Sequence, residues 1–165
     1  MTTPFKASFI FILTASFLFY EMGVQFTPGV INQQLMHDLG LSAFGLGILS
    51  GSYFYSYTLM QIPAGLLYNR FNVRHVIIVP LLICALGAYL FSIVDNLALG
   101  ALARLCMGAG SAFAFIGVLV VASDIFPARY FGMLTGITQL LAAFGAMAGQ
   151  KPLIPLVSYF GWRHT

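Results

Sequence analysis

The chain has 165 residues, 60% of them hydrophobic and only 7% charged, with a net charge of +3 and a mean hydropathy of +0.94. A water-soluble domain carries about a quarter charged residues, so this chain could not cover its own surface in water, and its solvent is lipid. The basic side chains stand singly along apolar runs, which argues against a nucleic-acid partner, and no cofactor is expected.

A membrane-spanning helix needs about 20 mostly apolar residues. Five segments meet that requirement, at about 7–31, 43–68, 73–94, 97–125 and 130–159, and predict an all-α polytopic helix bundle in the lipid bilayer. The first is interrupted only by Glu21 and Gln25. It is too long for a signal-peptide core, and no small-x-small cleavage site follows it, so it is expected to remain in place. A polar stretch, Asn32 to Leu41, leads to Ser42, which is placed to cap the second helix. The short loop at 69–72 joins the second helix to the third, Asp95-Asn96 makes the next turn, and Phe126-Pro127-Ala128-Arg129 ends the fourth helix. The fifth is the least regular, because Lys151, Pro152 and Pro155 lie within it.

Positively charged loops stay in the cytoplasm. Lys6, Arg70, Arg74 and Arg129 collect at one end of the predicted bundle and only Arg163 at the other, which places the N-terminus in the cytoplasm. Glycines four apart, Gly47 and Gly51, Gly132 and Gly136, Gly145 and Gly149, are expected to let helices approach closely. Gly45-Leu-Gly47-Ile-Leu-Ser-Gly51 is no dinucleotide loop, since no strand precedes it. Cys84 and Cys106 read as small buried thiols without metal-ligand spacing. Tyr53, Tyr55 and Tyr57 alternate along the second helix and cannot share one narrow face, so they read as packing residues, and Phe113, Phe115 and Phe144 read as lipid-facing or packing residues.

A charge in the hydrocarbon region costs at least about 2.5 kcal/mol, so each one calls for an explanation. Glu21, Arg104 and Lys151 are the three. At about 1.5 Å per residue, Glu21 lies about 21 Å from the inner end of its helix, and Arg104 and Lys151 each about 12 Å from the outer end of theirs. In a core about 30 Å thick those depths nearly coincide. The expectation is a shared polar cavity in which Glu21 balances one or both cations; a purely structural ion pair is the alternative, and Lys151 could instead reach the outer interface. Thr14, Glu21 and Gln25 share one stripe of the first helix; Gln61, Gln139 and Gln150 are weaker candidates, the last two on one face of the fifth helix that suits either solute or interhelical hydrogen bonding. A membrane enzyme would need a nucleophile with its base or a metal cluster, and neither HExxH nor GxSxG occurs. A small membrane scaffold would need no charges at mid-depth.

Four motifs carry a resemblance. Gln61-Ile-Pro63-Ala-Gly65-Leu-Leu-Tyr-Asn69-Arg70-Phe-Asn72-Val-Arg74 resembles the signature between the second and third helices of the major facilitator superfamily, with Asn69 where an aspartate is usual and Asn72 where a glycine is usual. Arg104-Leu-Cys-Met-Gly108-Ala-Gly110 is similar to the Arg-x-x-x-Gly-x-Gly of its fourth helix. Asp124-Ile-Phe-Pro127-Ala-Arg129-Tyr-Phe-Gly132 resembles the approach to its fifth, and Phe160-Gly161-Trp162-Arg163 the segment that follows. The resemblance implies alternating-access transport of a small solute, with this chain supplying five of the first six helices and needing a sixth helix and a C-terminal half as partners. It also implies that Gly65, Asn69, Arg70, Arg74, Asp124 and Arg129 belong to a cytoplasmic gate, in which Asp124 is expected to pair with Arg74. Proton-coupled uptake is the favoured mode, since the fifth helix lacks the Gly-Pro pair typical of drug antiporters; a drug/proton antiporter and a non-transporting scaffold are the alternatives.

Overall fold

The computed structural model describes residues 4–165, with side chains from Ser8 onward, so the Lys6 side chain lies outside the described residues. Among them every regular element is helical: α1 (Pro4–Val30), α2 (Asn32–Asp38), α3 (Ala43–Arg70), α4 (Val73–Ser92), α5 (Leu97–Ile125), a 3-10 turn (Ala128–Tyr130), α6 (Phe131–Ala148) and α7 (Leu153–Phe160). Helix starts follow the expected chemistry, in which a side-chain oxygen satisfies an orphan N–H of the first turn. Ser42 accepts from Gly45 at 3.2 Å, Asn72 from Arg74 at 3.0 Å and Asn96 from Leu99 at 2.9 Å.

Two segments depart from expectation. The polar stretch after α1 is not a loop, because Asn32–Asp38 coils into α2, anchored by the fully buried Leu35. The fifth predicted helix is two, since the chain turns at Gly149 to Pro152 before α7 begins. Proline lacks the N–H and the conformational freedom that a helix interior needs, but sits well at a helix start, where Pro152 precedes α7 and Pro155 falls in its first turn.

Among the described residues, four stretches can cross a membrane by length and composition: Ser8–Val30, Val73–Ser92, Leu97–Ile125 and Ala128–Phe160. With 28 residues α3 is long enough, but serines, tyrosines and glycines make it less apolar. Part of that polarity faces inward, where Ser52 and Tyr53 are buried along α5.

The most buried helix is α5, and its small residues explain why. A Cβ on Gly108 would meet the Tyr53 carbonyl and Ser56 of α3, and one on Gly110 the Pro80 carbonyl of α4. Helix α3 runs parallel to α5, with Leu49 at Gly100 and Tyr68 at Gly117, whereas α4 runs antiparallel. A second seam joins α1 to α6, where Gly145 lies on the Phe19 backbone and Gly149 on Gly23. Of the three expected glycine pairs, only Gly145/Gly149 packs helix on helix. Gly47, Gly132 and Gly136 have nothing within 4 Å of a Cβ position, and Gly51 meets only Tyr55 of its own helix. A small-residue pair permits close approach but cannot supply the neighbour.

The two ends differ. At one, Phe11 of α1 meets Phe126 edge-on at 5.7 Å, near the 71–72 turn. At the other, Trp162 packs on Phe91 at 5.8 Å and its indole N–H donates to Asp38 at 2.8 Å. There Arg163 also donates to the Ser92 and Val94 carbonyls at 3.2 and 2.7 Å, tying the segment after α7 to the α4–α5 turn.

Candidate functional site

Glu21 of α1, Tyr53 of α3 and Arg104 of α5 are all essentially inaccessible. The Tyr53 hydroxyl donates to Glu21 Oε1 at 2.8 Å, and the Arg104 guanidinium carbon lies 4.5 Å from the centre of the same ring. Arg104 also donates to the Val24 and Gln25 carbonyls of α1, at 3.2 and 3.4 Å. One tyrosine thus touches both the buried acid, through its hydroxyl, and the buried base, through its ring. The expected direct ion pair between Glu21 and Arg104 is not formed: the two ion pairs found among the described residues are His37 with Asp38 and Arg163 with Asp95, both at one end of the bundle. Desolvated charges gain most when each is fully hydrogen-bonded. Here Glu21 Oε2 and Arg104 Nε have no hydrogen-bond partner, which leaves one accepting and one donating position open in the interior.

Local sequence explains the placement. Tyr53 sits opposite Gly108, and the absence of a side chain there lets the α3 backbone press against α5, bringing the ring beneath Arg104 one turn away. Tyr57, one turn along α3, stacks on Tyr53 with centroids 6.0 Å apart and planes 14° from parallel. The alternation of tyrosines in the sequence concealed this, because 53 and 57 are four apart and share a face, while Tyr55 points away and is exposed.

The other expected members are not gathered here. Lys151 is exposed in the turn between α6 and α7, because the break at Pro152 carries it out of the helix line. Gln139 is exposed, and Gln150 donates back to the Ala146 carbonyl of its own helix at 3.1 Å. Gln61 is exposed. Gln25 contributes its backbone carbonyl, and Thr14 returns its hydroxyl proton to α1, to Ile10 and Phe11. A cavity of about 490 Å³ lies beside Arg104 between α1, α4, the end of α6 and α7, with Arg163 and His164 among the residues lining it. A second runs between Phe9 and Leu13 of α1 and Arg74 and Ile78 of α4.

At the far end the expected Asp124–Arg74 pair is not formed. Both side chains are exposed, Asp124 accepts from Ser123 at 3.4 Å, and Arg74 lines the groove between α1 and α4. Asn69 and Arg70 are exposed, Arg129 stacks on Tyr130 at 4.7 Å, and Gly65 has open space at its Cβ. Asn72, which stands where a glycine is usual, caps α4.

A polytopic helix bundle that keeps an acid and a base in its interior, each with a valence to spare, has the constitution of a membrane transport protein. The profile of the Major Facilitator Superfamily matches residues 11–165, and the chain belongs to that superfamily. It is 34% identical over 123 residues to the uncharacterized transporter YybO of Bacillus subtilis, a match that covers 74% of this chain and 28% of the relative. It is 26% identical to the probable sulfoacetate transporter SauU of Cupriavidus necator, over 79% of this chain and 30% of the relative. Identity to the probable galactarate/D-glucarate transporter GudP of Escherichia coli is 25% over 94% of this chain and 35% of the relative. The chain therefore spans about a third of the length of the curated relatives it matches.

Proposed function

We propose that this chain is the N-terminal portion of a secondary transporter that takes up a small organic anion by alternating access, coupled to protons, with Glu21 as the coupling carboxyl and Arg104 as the anion-facing cation. The observation that carries the reading is the buried acid and base joined through Tyr53, each with one hydrogen-bonding position unfilled. A carboxyl in the membrane interior can carry a proton from one side to the other, and a guanidinium with a free N–H can meet a carboxylate or sulfonate. The names of the relatives point to the same chemistry, since sulfoacetate, galactarate and D-glucarate are organic anions. On this reading the longer protein adds a sixth helix and a C-terminal half, for which the groove between α1 and α4 and the open glycine positions on α3 and α6 leave room.

Uptake by vesicles containing the intact transporter tests this, with sulfoacetate and D-glucarate as probes and an imposed inward proton gradient. Gradient-dependent uptake that Glu21→Gln and Arg104→Leu each abolish, at unchanged protein level, is expected. Normal uptake by both variants overturns the assignment, and proton-driven export of a cationic dye instead supports the antiporter reading.

The basic end of the bundle, with Arg70, Arg74 and Arg129, is taken as cytoplasmic, in a cell (inner) membrane. A membrane-impermeant thiol reagent is expected to label a cysteine placed at Asp95 and to miss one at Asn72; the reverse pattern inverts the topology.

A further inference from the structure

We infer that Tyr53 is the positioning residue through which the acid and the base of this site act on one another, its hydroxyl serving Glu21 and its ring serving Arg104. The inference rests on the transport reading above and assigns a role to a residue outside the four family-like motifs. Three observations carry it. The hydroxyl is 2.8 Å from Glu21 Oε1 and is the one hydrogen-bond partner which that carboxyl has among the described residues. The ring face lies 4.5 Å from the Arg104 guanidinium, within the distance at which a cation is held by an aromatic quadrupole. The ring itself cannot wander, because it is fully buried, stacks on Tyr57, and belongs to a stretch of α3 whose backbone lies on Gly108.

The consequence is mechanical as well as electrostatic. With no direct contact between Glu21 and Arg104, a shift of the carboxyl reaches the guanidinium by moving the phenol that both hold. The charged and titratable groups around this arrangement are Arg104 from α5, Tyr57 from α3 and Cys84 from α4; α6 contributes none, since its sequence carries no ionisable side chain. The two halves of the side chain then have separable jobs. The hydroxyl sets the geometry of the proton-carrying group and hence turnover, and the ring sets the geometry of the anion-facing cation and hence apparent affinity.

Double-mutant cycles in the intact transporter test this. Tyr53→Phe keeps the ring and removes the hydroxyl: kcat for D-glucarate or sulfoacetate uptake is expected to fall about tenfold, the weight of one charge-assisted hydrogen bond, with KM held within about twofold. Tyr53→Leu removes both and is expected to raise KM about fivefold in addition. In a Glu21→Asp background, which keeps a carboxyl but shortens its reach, Tyr53→Phe should cost little more. In an Arg104→Lys background, the KM difference between Tyr53→Phe and Tyr53→Leu should shrink. If Tyr53→Phe transports with the parent kcat and KM while Glu21→Gln and Arg104→Leu remain inactive, the positioning role is overturned and the transport reading stands. If Glu21→Gln and Arg104→Leu are themselves normal, the reading on which it rests fails first. Equal losses in kcat and KM for both Tyr53 variants, additive in either background, would mark a merely structural tyrosine.

Discussion

Two polar clusters hold this bundle together, and they spend their hydrogen bonds differently. At the end where α7 finishes, Trp162 donates to Asp38, Arg163 donates to two backbone carbonyls and approaches Asp95 at 3.8 Å, and the acidic side chains face outward. In the interior, Glu21 and Arg104 share a tyrosine, avoid each other and leave one position each unfilled. An exposed cluster can meet its remaining needs from water, so its bonds serve mainly to tie segments of chain together. A buried cluster is cut off from bulk water, so an unfilled hydrogen-bonding position there is costly and marks the place where a ligand or proton has most to offer.

Removing a cation from each cluster tests that contrast most sharply. Arg104→Leu is expected to abolish transport outright while the protein still folds in detergent, so that the loss of function exceeds any loss of stability. Arg163→Ala is expected to do the opposite, costing about 1–2 kcal/mol of stability with uptake retained, since it releases the α4–α5 turn from the segment after α7. Equal effects of the two substitutions on both measurements would erase the distinction.

A smaller effect concerns acid. The indole N–H of Trp162, and then His37, hold the Asp38 carboxyl below its usual range. A carboxylate depressed in the folded state contributes stability that is present above its unfolded value of about 3.9 and is lost as pH falls through the lower folded value. Thermal unfolding followed by circular dichroism should therefore show a slight loss below about pH 4 that Trp162→Phe removes. An acid loss of the same size in the Trp162→Phe variant would detach the effect from this contact.

Much of this was legible in the sequence because lipid imposes one rule on every span. Apolar length marks a helix, and the residues that violate it, Glu21 and Arg104, mark the interior site. The caps at Ser42, Asn72 and Asn96 belong to the same local grammar. What escaped was set by tertiary contact. Asn32–Asp38 reads as a loop until Leu35 finds a buried seat. Lys151 reads as a mid-depth charge until the turn at Pro152 swings it outward. Tyr53 could have been found by counting in fours rather than twos, but its partnership with Glu21, 32 positions away, and with Arg104 depends on how closely Gly108 lets two helices lie.

Trp162 is the single tryptophan of the chain. Excited at the red edge of aromatic absorption, its indole would be almost the sole emitter, and its N–H is bound to a carboxylate on a different segment. Any motion that parts α2 from the chain beyond α7 changes the surroundings of that ring and shifts its emission. The end of the bundle opposite the basic loops thus carries a built-in optical probe, readable without labels while solute is added to the protein.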